Sequence, residues 1–319
     1  MDRDFQKAYR ESIGSILERL EKALQWLGLE HGRVASYKKL LTEYYEGQRS
    51  NEHFLAFYQA MDALSIYELW KDTVVNFPGL QAKIAVVFKK GPLLPENENA
   101  AANSNRPRND GFVFIIGGKF LRKSDEIIVS IDGIKNNRAQ NFVTWPDSSA
   151  DVLLWFQDSL IRVECKRPMN SNSLTANVEM ALSQIASCPK DKTWGVIAVD
   201  VSKLIEQPGH YLEATSLDAG SDYLTDRVAE ILLPFAKQYR QEWLLGFIGF
   251  ASIPMVATVR SQILQQSGKP YEISDLRTAS FSWVSIRNPQ SSKADVLTQL
   301  QSLLVQNTHG LPQNSLPMH

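Results

Sequence analysis

Of the 18 lysines that can be counted along the chain, one alone has an acid two residues before it: Lys166, in Glu164-Cys165-Lys166. Asp151 stands thirteen residues ahead of Glu164. Two carboxylates and an amine are the parts that phosphodiester hydrolysis needs at neutral pH. Hard oxygen ligands such as Asp and Glu hold Mg²⁺ while leaving positions for water. The cation polarises a phosphate and lowers the pKa of bound water. An adjacent ammonium orients that water or neutralises charge developing in the transition state. The expected ligands are Asp151, Glu164 and the backbone carbonyl of Cys165, with Mg²⁺ as the cofactor and Mn²⁺ as its substitute.

The elements that would position these groups are legible around them. Ala150-Asp-Val-Leu-Leu-Trp-Phe156 is an apolar run rich in strand formers, Gln157-Asp158-Ser159 is short and polar, and Leu160 to Lys166 alternates. Together they predict a hairpin. Because successive side chains on a strand point to opposite faces, Arg162, Glu164 and Lys166 share one face while Ile161, Val163 and Cys165 share the other. Cys165 is therefore expected in the core. A second acid, Asp147 in Trp145-Pro146-Asp147, is a rival first ligand, but Pro-Asp-Ser-Ser is a turn-like context in which Asp is common. Asp151 is preferred because it heads a strand able to pair with that of Glu164.

Composition sets bounds. At 319 residues and 44% hydrophobic the chain buries a core with ease. No run approaches the roughly 18 apolar residues of a membrane span, and Met-Asp-Arg-Asp-Phe-Gln has no signal-peptide core, so no membrane partner and a cytoplasmic location are expected. Two cysteines, Cys165 and Cys188, exclude a disulfide framework and a four-cysteine zinc site. A net charge of −1 gives no global attraction to nucleic acid.

Along the chain, residues 4–47 read as helices broken at Gly28 and Gly32, and a third helix runs from Asn51 to Val74 before Pro78-Gly79. Leu80 to Phe88 reads as a mixed helix end or short strand. The polar stretch 91–110 predicts a mobile loop. Strands are expected at Phe112–Ile116, Glu126–Ile131 and Asn141–Trp145. After the hairpin come a helix at about Leu174–Ala186 and a doubly buried strand at Thr193–Val199. The last third predicts a helix at Asp222–Trp243, strands at Leu245–Val259 and Thr278–Arg287, a helix at Ala294–Val305 and a fraying tail from Asn307. The organisation expected is an N-terminal helical region (1–50), a core (51–200), a C-terminal extension of the same sheet (201–306) and a flexible tail (307–319).

Asp151, Glu164-x-Lys166 and their hairpin resemble the PD-(D/E)xK nuclease superfamily, whose core is a helix, a metal-binding hairpin, a helix and a further strand. The resemblance covers about residues 60–200. It implies an α/β, restriction-endonuclease-like core, a mixed central sheet flanked by helices, with an N-terminal helical region and a C-terminal α/β extension. Tyr67-Glu68-Leu69-Trp70 is similar to the Tyr-Glu-x-Trp helix segment of nuclease subunits in modified-cytosine restriction systems, which implies that Glu68 completes the site. Gln184, on the helix after the lysine strand, matches the position of a glutamine in many members. DNA as substrate, a restriction or phage-defence setting and an ATPase or helicase partner subunit follow from the resemblance. The proline before Asp151 that gives the motif its name is absent.

Each candidate has a plainer reading. Glu164 and Lys166 could blunt an edge strand, Asp151 could cap a loop, and Glu68 could face solvent. Arg162 and Arg167 suit phosphate contacts or ordinary ion pairs. His31, His53 and His210 lack metal-ligand spacing. Gly117-Gly118-Lys119 lacks the full phosphate-loop pattern and reads as a turn. The alternative function is a nuclease-like subunit that binds nucleic acid or a partner protein without cutting.

Overall fold

The computed structural model describes residues 3–48, 50–99, 103–121, 128–139, 150–187, 193–205, 211–260 and 273–306. The strand expected at Asn141–Trp145, the rival ligand Asp147, Cys188, His210 and the tail 307–319 lie outside the described residues. The chain opens with helices α1 (Arg3–Leu27), α2 (Arg33–Tyr45), α3 (Asn51–Trp70), α4 (Leu80–Lys89) and α5 (Arg106–Leu121). Gly28, at φ 64°, ends α1 in the left-handed region that favours glycine. Ser50 caps α3 by accepting the His53 amide. His53 also bonds Ser50 Oγ at 2.8 Å and Glu43 at 3.3 Å through its two ring nitrogens, a structural role.

The sheet follows: β1 (Ile128–Ile131), β2 (Ile134–Lys135), β3 (Val152–Phe156), β4 (Ser159–Lys166), then α6 (Ser171–Ala186), β5 (Thr193–Asp200), α7 (Ser202–Ile205), β6 (Leu212–Ala214), α8 (Leu217–Gln238), β7 (Leu244–Arg260), β8 (Ile273–Arg287) and α9 (Ala294–Gln306). These eight strands form one mixed sheet in the order β2-β1-β3-β4-β5-β7-β6, with β8 on β7. β3 and β4 are antiparallel, β4, β5 and β7 are parallel, and β8 returns antiparallel along the whole of β7. The protein is thus α/β, with helices on both faces of the sheet. Val196 and Ala198 of β5 join the core built with α1 to α5 and α9, whereas Ile197 and Val199 join the core built with α6 and α8. Alternation on a doubly covered strand has this result. Among the described residues no helix is long and apolar enough to cross a membrane.

Three local expectations are corrected. Leu80–Lys89 is wholly helical. Phe112–Ile116 is not a strand but the middle of α5. From Gly111 to Leu121 every residue of α5 is buried, so the helix is apolar all round and has no amphipathic period to reveal it. Gly117-Gly118 is not a turn: these residues sit inside α5 and let it approach α3, where Trp70 Nε1 donates to the Phe114 carbonyl at 2.8 Å. Lys119 is buried and donates to the Leu304 carbonyl near the end of α9 at 3.1 Å, which suits a helix C-terminus.

The expected mobile loop 91–110 is anchored where it is described. Residues 106–110 already belong to α5, Pro95–Asn97 form a 3₁₀ turn, and the Glu98 side chain has no exposed surface. Glu98 accepts from Arg108 at 2.9 Å, from Arg167 at 2.8 Å and from Lys203. Burial alone would raise its carboxyl, but Arg167, Arg108 and Lys203 overcome that and hold it below the usual range. Composition could not show this, because the partners come from distant parts of the chain.

A Cβ added at Gly118 would lie 2.7 Å from Leu69 Cβ and 2.9 Å from Trp70 Nε1. Gly118→Ala is expected to destabilise the protein by about 1–3 kcal/mol, read as a lower midpoint in urea denaturation. An unchanged midpoint would show that α3 and α5 are not held this close.

Candidate active site

Local geometry explains the hairpin. Gln157 and Asp158 have φ of 47° and 55° and form the two-residue link between β3 and β4, with Phe156 paired to Ser159. Two positive φ values match the sense of twist that a tight hairpin requires. Ser159, read from the sequence as part of the turn, is the first residue of β4. The register pairs Val152 with Val163 and Leu153 with Arg162, so Asp151 lies just ahead of β3 beside Glu164. β4 lies between β3 and β5, and β4 is therefore an internal strand. The edge-strand reading of Glu164 and Lys166 is thereby removed.

Charge is concentrated on one face of β4. Arg162 Nε donates to Glu164 Oε1 at 2.7 Å, and Lys166 Nζ donates to Glu164 Oε2 at 3.1 Å. Lys166 also donates to Gln184 Oε1 of α6 at 2.9 Å and lies 3.6 Å from Asp151 Oδ2. That same Asp151 oxygen accepts the backbone N–H of Cys165 at 2.8 Å, which fixes the acid against the strand that carries its partners. Side-chain exposure rises from 1% at Glu164 to 11% at Lys166 and 29% at Asp151. The group is closed at its base and open at Asp151. Burial, then the negative charge of Asp151, holds the Glu164 carboxyl above its ordinary range, against the pull of Lys166 and Arg162. Cys165 turns into the core, where burial pushes its thiol well up, so it does not act as a thiol nucleophile.

The structure thus brings together Asp151, Glu164, Lys166 and Gln184. It places Glu68 in a different set of contacts. On the last turn of α3, Glu68 is ion-paired to Arg19 at 3.2 Å and to Lys71 at 2.9 Å. Burial would raise its carboxyl, but these two cations hold it down. The helix that directly precedes the sheet is α5, not α3, and its one acid is Asp110. Burial raises the Asp110 carboxyl, Asp132 and Asp151 add to the rise, and Arg106 and Lys83 oppose it. Asp132 in turn donates its backbone N–H to the Asp151 carbonyl at 2.8 Å. In the sequence, the polar composition of 91–110 and the all-round burial of α5 conceal the helix that carries Asp110.

Arg162 and Arg167 both form ion pairs. Arg162 serves Glu164, and Arg167 donates to Asp200 at 3.1 Å as well as to Glu98.

Asp151 and Glu164 suit a hard divalent cation: their oxygens converge on one cationic group, the Lys166 ammonium. A pair of carboxylates completed by water and substrate phosphate is the usual manner of Mg²⁺ binding. Among the described residues no three His, Cys, Asp or Glu side chains form a ready-made metal cage. No family model, curated protein or solved structure matches the chain.

Because Asp151 is one cause of the raised Glu164 carboxyl, Asp151→Asn is expected to move the Glu164 titration to lower pH. The ¹³C carboxyl shift followed by NMR checks this. An unmoved Glu164 midpoint would mean that the two acids do not share a site.

Proposed function

We propose that the protein is a metal-dependent nuclease that hydrolyses phosphodiester bonds of DNA. The observation that supports this most is the burial of Arg162, Glu164 and Lys166 on an internal strand, beside a half-open Asp151. Burying charge is costly, and a perturbed carboxyl in a partly open site points to function more than to stability. The order α5, β3–β4 hairpin, α6, β5 also agrees with the core that the PD-(D/E)xK resemblance implies.

A divalent cation bound at Asp151 and Glu164 would polarise the phosphate and acidify an attacking water. The chain's own residues do the rest. Gln184 and Glu164 hold the Lys166 ammonium at the site, where it faces the incoming water or the charge that develops on the phosphate. Arg162 keeps Glu164 oriented from below. The Cys165 amide fixes Asp151. Asp110 adds negative charge on the open side. A restriction or phage-defence setting, with an ATPase or helicase partner, belongs to the same proposal.

A non-cutting, nuclease-like subunit is the second reading. It draws on Lys166 being ion-paired to both carboxylates, an arrangement that neutralises itself.

Incubation of plasmid and oligonucleotide DNA with Mg²⁺ or Mn²⁺ separates the two. Cleavage is expected from the wild type, and Lys166→Ala should lower its rate by about 10²-fold or more, the loss typical of one preorganised electrostatic group. Glu68→Ala should leave the rate within a few-fold. Equal rates for the wild type and Lys166→Ala would rule the enzyme out. No cleavage by the wild type, with DNA still bound, would favour the second reading.

A further inference from the structure

Residues of α3, α5, the end of β5 and the middle of β7 line a half-open cavity of about 110 Å³. Asp151, Glu164, Lys166 and Gln184 do not line it. Arg167, the residue after Lys166, does.

The cations around this cavity are already engaged. Arg33 donates to the Val87 and Lys90 carbonyls at 2.6 and 3.0 Å. Arg108 donates to Gln59 at 3.1 Å and to Glu98, and Arg167 to Asp200 and Glu98. Asp200 accepts from Arg167 and from both the backbone N–H and the hydroxyl of Ser202. Asp62 differs. It lines the cavity, yet among the described residues it has no hydrogen bond and no ion pair within 4 Å. Burial, then the charge of Asp200, raises its carboxyl to about 6, and the more distant Arg167, Arg108 and Arg33 offset only part of that. A half-buried carboxyl that faces a cavity without a partner among the described residues is open to a ligand.

Beside these charged groups the walls carry aromatic surface. Tyr58, Phe112 and Phe250 line the space, and Phe112 stacks on Phe250 with ring centroids 5.8 Å apart. A pocket that combines aromatic surface with a few convergent polar groups is the common form of a small-ligand site.

We propose that this cavity binds a small one-ring molecule that presents an N–C–N edge, of the amidine or aminopyrimidine type, to the Asp62 carboxyl. Carboxyl and N–C–N edge match through two parallel hydrogen bonds, as in a bidentate guanidinium pair. The ionised form of Asp62 accepts both from an amidinium. The protonated form donates to the ring nitrogen of a neutral aminopyrimidine and accepts from its amino group. Size limits the ligand to one ring that extends in part through the open side, since the cavity is smaller than the roughly 150 Å³ that takes a whole benzene ring. Anions are disfavoured because they would meet Asp62 and Asp200 with the surrounding cations already bonded. The flat ring lies against the aromatic walls.

Isothermal titration calorimetry on the full chain, without metal or DNA, tests this separately from the nuclease reading. The probes are benzamidine and 2-aminopyrimidine, with benzoate as the anionic control of the same shape. Expected are one-to-one binding of at least one of the two N–C–N probes to the wild type, at least tenfold weaker binding to Asp62→Asn, and weaker binding of benzoate. Should Asp62→Asn fail to fold, Ala63→Leu narrows the same cavity with Asp62 in place and must weaken binding by a similar factor. The proposal is overturned if neither N–C–N probe binds the wild type at millimolar concentration, if Asp62→Asn binds as well as the wild type, or if benzoate binds as tightly.

Discussion

A carboxylate with almost no exposed surface stands on an internal strand, and much of the site's construction answers that constraint. Glu164 cannot shed its charge into water, so both of its oxygens must find cationic donors within reach. Arg162 and Lys166 are placed for this by strand alternation alone, two residues to either side on the same face. Lys166 would then be drawn wholly onto Glu164, were it not also held by Gln184 from α6 and by the nearby Asp151. β3, β4 and α6 are thus tied by one ammonium group. Hydrophobic residues of similar size would often be at least as stable in such a place, which is why the arrangement is read as chemistry and not as scaffolding.

The end of the same strand serves a second charge network. Arg167 reaches Glu98 and Asp200, and Glu98 also gathers Arg108 and Lys203. This network pins the segment around Pro95–Asn97 across the sheet and forms one wall of the Asp62 cavity. Lys166, the last residue of β4, and Arg167, the residue after it, therefore supply two separate polar sites. Within the two networks the charges pair with one another, whereas Asp62, on the cavity wall, has no hydrogen bond or ion pair among the described residues.

The strand expected at Phe112–Ile116 and the turn expected at Gly117-Gly118 share one physical origin. α5 is buried along nearly its whole length, and an apolar run without a polar face carries no periodic signal. Phe112–Ile116 then resembles a strand, and Gly117-Gly118 resembles a turn, although the glycines serve close packing of α5 against Leu69 and Trp70. The resemblance of Tyr67-Glu68-Leu69-Trp70 implies Glu68 as the third acid, on α3, whereas the helix next to the sheet in the chain is α5. α5 carries Asp110, and Glu68 pairs with Arg19 and Lys71.

The sequence by itself determined the hairpin, the shared face of Arg162, Glu164 and Lys166, and the burial of Cys165, because strand period and turn chemistry act over a few residues. It also marked the helix that carries Gln184. Only the tertiary structure decided that β4 is internal, that Gln184 meets Lys166, that the Cys165 amide holds Asp151, and that Asp62 faces a cavity. Those facts rest on pairings between segments far apart in the chain. No local pattern encodes them, since burial and partner choice follow from how the helices and strands pack together.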